Sequence, residues 1–493
     1  MSRFLAARAP ADVVRVAVAM ALSLAACHHP APPAAPAVPQ TPAAYRELAA
    51  KLDALAQAAV DDQAHPIAGL AVAVYWHGDP VLVKGYGLAD VEARTPMAAD
   101  ARFRIGSVTK QFTAAAIELL ALDGKLSIDD PITRFLPDYP TQGQTITIRH
   151  LLTHTSGIKN YTDLPWFEEH QATAMPRADL VAQFAAAPLD FTPGARWAYS
   201  NSGYYLLGLI IEKASGQPYA DFLRDKVLSR AHLGHTGYCA QEQTGPDDAR
   251  GYEAKDGALV PADPLDMAHP YAAGALCSTA ADLVAWARAL AAGEVVRAAT
   301  FAEMATPVTL ADGTSYPYGF GLGIGELGGH RQISHGGGIN GFVSWLVDFP
   351  DSDLAIAVLV NTPSPVANDL GEAISRVVLD VPVPEVLDVA VSADEAASLV
   401  GTYRFAQLDQ EVPVNYDDGV LHVGPPGAPG PKLLSQGNGH YTIVELQADV
   451  TFRVVDGQAA EMIVIQHGLE FHGDRLAADA APAPGEPAAP GAD

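Results

Sequence analysis

What most limits the possible folds is a set of apolar, β-patterned segments at the two ends of a long helical stretch. Near the start, residues 69–77 and 81–87 are rich in valine and flank a turn signal at Gly78-Asp79-Pro80. Towards the far end, residues 342–349 and 354–361 carry the same texture. The chain between them, up to about residue 315, reads mostly as helix and loop. Strands at both ends with helices between predict one sheet closed by the N- and C-terminal segments, with a helical subdomain inserted, in an α/β (α+β) fold. A helical pattern over Tyr45 to Val60 precedes the first strand.

At 493 residues the chain is too long for one ordinary domain. From about Val391 the texture changes to short alternating runs, such as 400–405, 420–423, 450–455 and 462–466. Asp418-Gly419 and Asp456-Gly457 lie between runs as hairpin signals. This predicts a small antiparallel β domain over 381–476, joined through Val381-Pro382-Val383-Pro384 to a larger domain over 45–380. The Ala/Pro-rich stretch 477–493 reads as a disordered tail, and no repeat of 20 to 50 residues is present.

The N-terminus carries its own message. Arg3, Arg8 and Arg15 precede an apolar run from Val16 to Ala26. That run falls short of the roughly 20 residues a bilayer span needs, and it fits the core of a signal peptide. Leu24-Ala25-Ala26-Cys27 resembles the lipobox of bacterial lipoproteins. The resemblance implies acylation of Cys27, loss of residues 1–26, and anchoring in a bacterial cell envelope, at the periplasmic or outer-membrane face. An ordinary signal peptide with an incidental cysteine is the alternative. Residues 28–44, rich in proline and alanine, favour an extended spacer. The formal charge of −27 repels phosphate backbones and argues against nucleic-acid binding. Cys239 and Cys277 remain, and export permits a disulfide, but two cysteines form no framework pattern, so two buried thiols are equally open.

Three short elements carry chemistry. Ser107-Val-Thr-Lys110 precedes an alanine- and leucine-rich helix pattern, 111–122, that ends at Gly124. Ser107 therefore falls near a helix N-terminus, where the dipole favours negative charge on its oxygen. Lys110 lies one turn on, on the same face. A buried neutral amine there can accept the serine proton. The second element is Tyr199-Ser200-Asn201, ahead of a helix pattern 203–215 closed by Gly216. Tyr199 could relay a proton, and Asn201 could hold a substrate amide; capping and packing are the plainer roles for both. The third is His335-Gly336-Gly337-Gly338, whose glycines permit close approach of a ligand backbone. The N–H of Gly338 could join that of Ser107 as an oxyanion hole.

Together, in this order, these elements resemble the serine β-lactamase and penicillin-binding-protein superfamily. Tyr199-Ser200-Asn201 as second motif is similar to the class C branch, which holds class C β-lactamases, D-alanyl-D-alanine carboxypeptidases, D-aminopeptidases and family VIII esterases. The segments 150–158, 191–205 and 273–283 look like the same branch, so the resemblance runs from about residue 45 to 380. It implies a β-lactamase-like antiparallel sheet flanked by helices, and the small β domain resembles a lipocalin-like module. By resemblance, Ser107 is acylated, Lys110 takes its proton, and Tyr199 serves the leaving group and later water. Asn201, His335, Gly337 and Gly338 contact substrate, and neither metal nor organic cofactor is needed. The implied substrates are short D-amino-acid peptides or small esters. His335 departs from the Lys-Thr-Gly of class C β-lactamases, which weakens a β-lactamase reading. With an ordinary pKa near 6.5, it is expected to be partly charged near neutrality and to read a substrate carboxylate. A non-catalytic, penicillin-binding-like envelope sensor or scaffold is the rival from another class. His150 and His154, four residues apart, have a spacing that metal ligands use, but no glutamate lies between them and zinc is not expected. The alternating Gly319, Gly321, Gly323 and Gly325 lack a following helix pattern and point to crowded strands rather than a nucleotide loop. Oligomeric state is not legible.

Overall fold

The computed structural model describes residues 39–239, 245, 248–405, 410–424, 430–446, 448–466 and 469–476. Cys27 with its lipobox, most of the spacer and the 477–493 tail lie outside the described residues. Among the described residues, no helix is long and apolar enough to cross a membrane.

The terminal segments meet as the sequence pattern requires. Strands β1 (Gly69–Trp76), β2 (Asp79–Asp90) and β3 (Thr95–Pro96) join β4 (Gly323–Leu327), β5 (His330–Ile339), β6 (Phe342–Phe349) and β7 (Leu354–Val360) in one antiparallel sheet. Its order is β4-β5-β6-β7-β1-β2-β3, so the N-terminal hairpin docks on the C-terminal strands through β1 and β7. Both strands are buried on both faces, which explains their near-continuous apolar runs. Alternation still sorts them by face. Leu70, Val72 and Val74 of β1 pack with Ile356 and Val358 of β7, beneath helices α1 (Arg46–Asp61) and α5 (Val366–Leu379). Ala71 and Ala73 face the other way, where their small side chains let α4 (Ala280–Ala291) approach.

The inserted region packs on that second face around α2 (Thr109–Leu122) and α3 (Asn201–Ser215). Every residue of α2 from Thr109 to Leu120 is buried, the polar Thr109, Lys110, Gln111, Thr113 and Glu118 included. Short strands at 103–104, 237–238 and 276–278 make a three-stranded patch under α2, and a disulfide between Cys239 and Cys277 ties its edge.

The C-terminal region is an eight-stranded closed barrel, matching the expected lipocalin-like module. Its strands span Gly401–Phe405 through Leu469–Arg475, and the first pairs with the last, Tyr403 opposite Arg475. Asp418-Gly419 and Asp456-Gly457 have positive φ at both residues, as tight hairpins demand. Tyr403, Phe405, Leu421, Tyr441 and Met462 fill the interior with α6 (Ala393–Leu399), so the barrel core is packed.

Candidate active site

Ser107 sits in a single 3-10 turn, Gly106–Val108, which leads directly into α2. Gly106 makes this turn possible: its φ is +48°, and a Cβ there would lie 2.9–3.1 Å from backbone atoms of Gly338. The turn is pinned on three sides. Ile105 donates its N–H to Leu276 O at 3.0 Å. Ser344 donates to Ile105 O at 2.8 Å, and Leu276 N–H donates to Thr109 Oγ1 at 3.2 Å.

Lys110 is fully buried, and burial pulls its amine well below its ordinary pKa. Its Nζ lies 2.8 Å from Asn201 Oδ1, 2.9 Å from Ala273 O and 3.0 Å from Ser107 Oγ. A neutral amine has two N–H donors and one lone pair. Two of its three neighbours are carbonyl oxygens that only accept, so they take both donors. The lone pair is left for Ser107, whose hydroxyl donates to it. The geometry thus fits an amine ready to receive the serine proton.

Tyr199 is half-buried and lies across Lys110, with Nζ 4.6 Å from its ring centre. Burial raises the phenol pKa, opposed by a hydrogen bond with Ser107, so the group is protonated and held on the serine oxygen. Asn201 is placed differently from the sequence expectation. Its Oδ1 faces Lys110, its Nδ2 donates to Thr162 Oγ1 at 3.1 Å, and Asn160 Oδ1 accepts its backbone N–H at 2.9 Å. It therefore orients the amine and is not among the residues lining the cavity. Ser200 Oγ caps α3 through Gly203 N–H at 3.3 Å, and Gly216, φ +75°, ends it.

The third motif lies on β5. Strand β4 pairs with β5 only as far as Gly323 opposite Ser334, so β4 leaves the edge at 335–338 uncovered next to the Ser107 turn. Gly338 lines the cavity there. Gly337, expected to contact substrate, points elsewhere: a Cβ on it would lie 2.1 Å from Ile105 O and 2.4 Å from Ser344 Oγ. Its role is to let β5 close on the serine turn.

His335 corrects a further expectation. Burial lowers its pKa to about 4. It is neutral at physiological pH and presents no cation to a carboxylate. Its Nε2 lies 2.9 Å from Tyr318 Oη, which in turn lies 3.2 Å from His154 Nε2. His154 and His150 have unlike surroundings. His150 belongs to the capping box of Thr147, whereas His154, with φ +58°, is buried among Trp197, Tyr199, Tyr204 and Tyr318. Sequence reasoning assigned no role to Tyr318 or Trp197. Nothing local marks Tyr318, since its partners are distant in the chain.

Ser107 and Tyr199 open onto a cavity of 330 Å³, walled by Trp197, Tyr318, Ile324 and Trp345. Trp197 stacks on Tyr316 at 4.2 Å. Gln332, Ser334 and Asn368 supply polar atoms, and among the described residues no Asp, Glu, Lys or Arg lines it. Such a volume suits a small ligand.

Fold and site define a protein in which a serine, a buried lysine and a tyrosine meet beside an uncovered stretch of an antiparallel sheet. The β-lactamase family model matches residues 52–379, and the chain belongs to that family. It is 31% identical to penicillin-binding protein 4* of Bacillus subtilis, over 58% of this chain and 66% of that protein. It is 34% identical to esterase EstB of Burkholderia gladioli, over 40% of this chain and 53% of that protein. The matched stretch thus spans less than two thirds of either relative's own length. Among solved structures, a D-amino acid amidase from Ochrobactrum anthropi SV3, complexed with L-phenylalanine, superposes with a TM-score of 0.59 at 26% identity. That likeness covers 68% of this chain and 98% of the amidase.

Proposed function

We propose that this protein is an exported serine hydrolase that cleaves small D-amino-acid amides, peptides or esters through an acyl-enzyme on Ser107. The observation that carries this is the donor arrangement around Lys110, which directs its lone pair at Ser107 Oγ, 3.0 Å away. Ser107 Oγ attacks the substrate carbonyl as its proton passes to Lys110 Nζ. The oxyanion forms between the N–H groups of Ser107 and Gly338. On collapse the proton returns, by way of Tyr199, to the leaving amine or alkoxide. Water, deprotonated by the same groups, then attacks the acyl-enzyme and releases the acid. The substrate class rests on the relatives: an esterase and a penicillin-binding protein are similar in sequence, and a D-amino acid amidase is similar in fold. The uncharged 330 Å³ cavity supports small, neutral acyl groups. Export rests on the N-terminal pattern, and the Cys239–Cys277 disulfide suits an oxidising compartment.

Intact-mass analysis after treatment with a fluorophosphonate is the direct test. One adduct on the wild type and none on Ser107→Ala is expected. Equal labelling of both would remove Ser107 as nucleophile, and no labelling of either would favour the sensor or scaffold reading. Turnover of a chromogenic cephalosporin would favour a class C-like β-lactamase.

A further inference from the structure

We propose that His154 is a positioning residue for Tyr199, and that through this the site can expel strongly basic leaving groups such as alkoxides and amines. This rests on the hydrolase reading above and adds to it the residue on which proton delivery to the leaving group depends.

His154 stands where glycine is usual. The short helix Ile148–Leu152 is capped by Thr153, and His154 follows with φ +58°. Helices often close on such a left-handed residue, and glycine is favoured there because a Cβ is costly. A histidine in this place has a use for its side chain. Its main-chain oxygen accepts the N–H of Ala198 at 2.9 Å, and its Nδ1 accepts the N–H of Ser200 at 3.1 Å. A backbone N–H can only donate, so both roles are settled whatever the other ring nitrogen does. The two N–H groups flank Tyr199, and in an extended chain such groups lie about 7 Å apart. In a sheet, two residues of a neighbouring strand would supply the two acceptors. Here the backbone and the side chain of one left-handed residue take their place.

The imidazole also meets the phenol directly. The ring centres of His154 and Tyr199 lie 4.3 Å apart, with the planes tilted by 38°. The imidazole has little room to yield. It is buried, it touches Trp197, Tyr204 and Tyr318, and its Nε2 lies 3.2 Å from Tyr318 Oη. Tyr199 in turn bonds to Ser107 and has Lys110 Nζ 4.6 Å from its ring centre. His154 therefore fixes both the backbone and the ring of the residue that passes the proton from Lys110 to the leaving group. It does not line the cavity, so it acts through Tyr199 and not on substrate.

The test compares the p-nitrophenyl and methyl esters of N-acetyl-D-alanine, using the full chain. Both form the same acyl-enzyme, and kcat/KM reports its formation. p-Nitrophenolate departs without a proton, whereas the methyl ester needs one for its alkoxide. The readout is the ratio of kcat/KM, p-nitrophenyl over methyl. His154→Gly keeps the left-handed turn and removes the imidazole, so the ratio should rise roughly tenfold or more, part of the scale of general-acid catalysis. Tyr199→Phe should raise it as well, and adding His154→Gly to Tyr199→Phe should raise it no further. Two further variants separate positioning from packing. Asparagine places Oδ1 where Nδ1 stands and tolerates a left-handed backbone, so His154→Asn should return the ratio towards the wild-type value. Glutamine fills more space but reaches the position of Nε2, so His154→Gln should leave the ratio high. An unchanged ratio in His154→Gly, a further rise in the double variant, or equal ratios in His154→Asn and His154→Gln overturns the proposal. Should His154→Gly fail to fold, the asparagine and glutamine variants decide by the same criterion. If the wild type cleaves neither ester and Ser107 takes no adduct, the hydrolase reading falls and this proposal with it. A wild type that cleaves both, with ratios that His154 does not move, overturns the positioning role alone.

Discussion

At the scale of single residues, Lys110 decides what the site can do. Its three neighbours within hydrogen-bond reach match a neutral amine better than an ammonium, which would place a third donor on a serine that should itself donate. The pH dependence follows with a definite sign. Burial depresses this pKa, so the active, neutral form persists to lower pH than for an ordinary lysine. Activity on a neutral ester should fall only as pH drops through that lowered value, and its acid limb should lie well below 10.5. Lys110→Ala should lower kcat by roughly 10²-fold or more, the scale of lost general-base catalysis. Lys110→Arg should not recover it, because a guanidinium stays protonated. Steady-state kinetics across pH check both, and a Lys110→Arg enzyme with wild-type kcat would remove the amine as base. The Ser107–Lys110 pair was readable from the sequence because one helical turn fixes its spacing. The burial of His335 beside Tyr318 was not, since the two lie on different elements of the fold.

At the scale of elements, the segment 271–277 forms the wall behind Lys110. It supplies Ala273 O to Lys110 and Leu276 to the serine turn. It is closed at its base by the Cys239–Cys277 disulfide, at a sequence separation of 38. The sequence left a disulfide and two free thiols open, because pairing depends on two short strands meeting edge to edge. Restricting a loop of that length in the unfolded chain stabilises the fold by about 4 kcal/mol in the loop-entropy account. The double variant Cys239→Ala, Cys277→Ala should lose stability on that scale in urea denaturation. An unchanged midpoint would mean that strand packing alone holds the segment. Because the wall carries a Lys110 ligand, kcat should fall along with stability.

At the scale of the whole molecule, residues far apart in the chain build one sheet, and a separately cored barrel follows it. The N-terminal signal adds a prediction about where that assembly resides. Cys27 should be acylated, so a clickable fatty acid should label the native protein and fail to label Cys27→Ser. Label retained by the variant would defeat the anchor. The sequence by itself determined the elements whose cause is local: the buried strands 69–76 and 354–360, the serine and lysine one turn apart, and the Asp-Gly hairpins of the barrel. In each, periodicity or turn chemistry acts between near neighbours. Only the tertiary structure decided that Asn201 serves Lys110, that Gly337 packs on Ile105, and that His335 is neutral. These depend on burial and on distant partners, such as Lys110 for Asn201, 91 residues away, and Tyr318 for His335, 17 residues away, which no local pattern encodes.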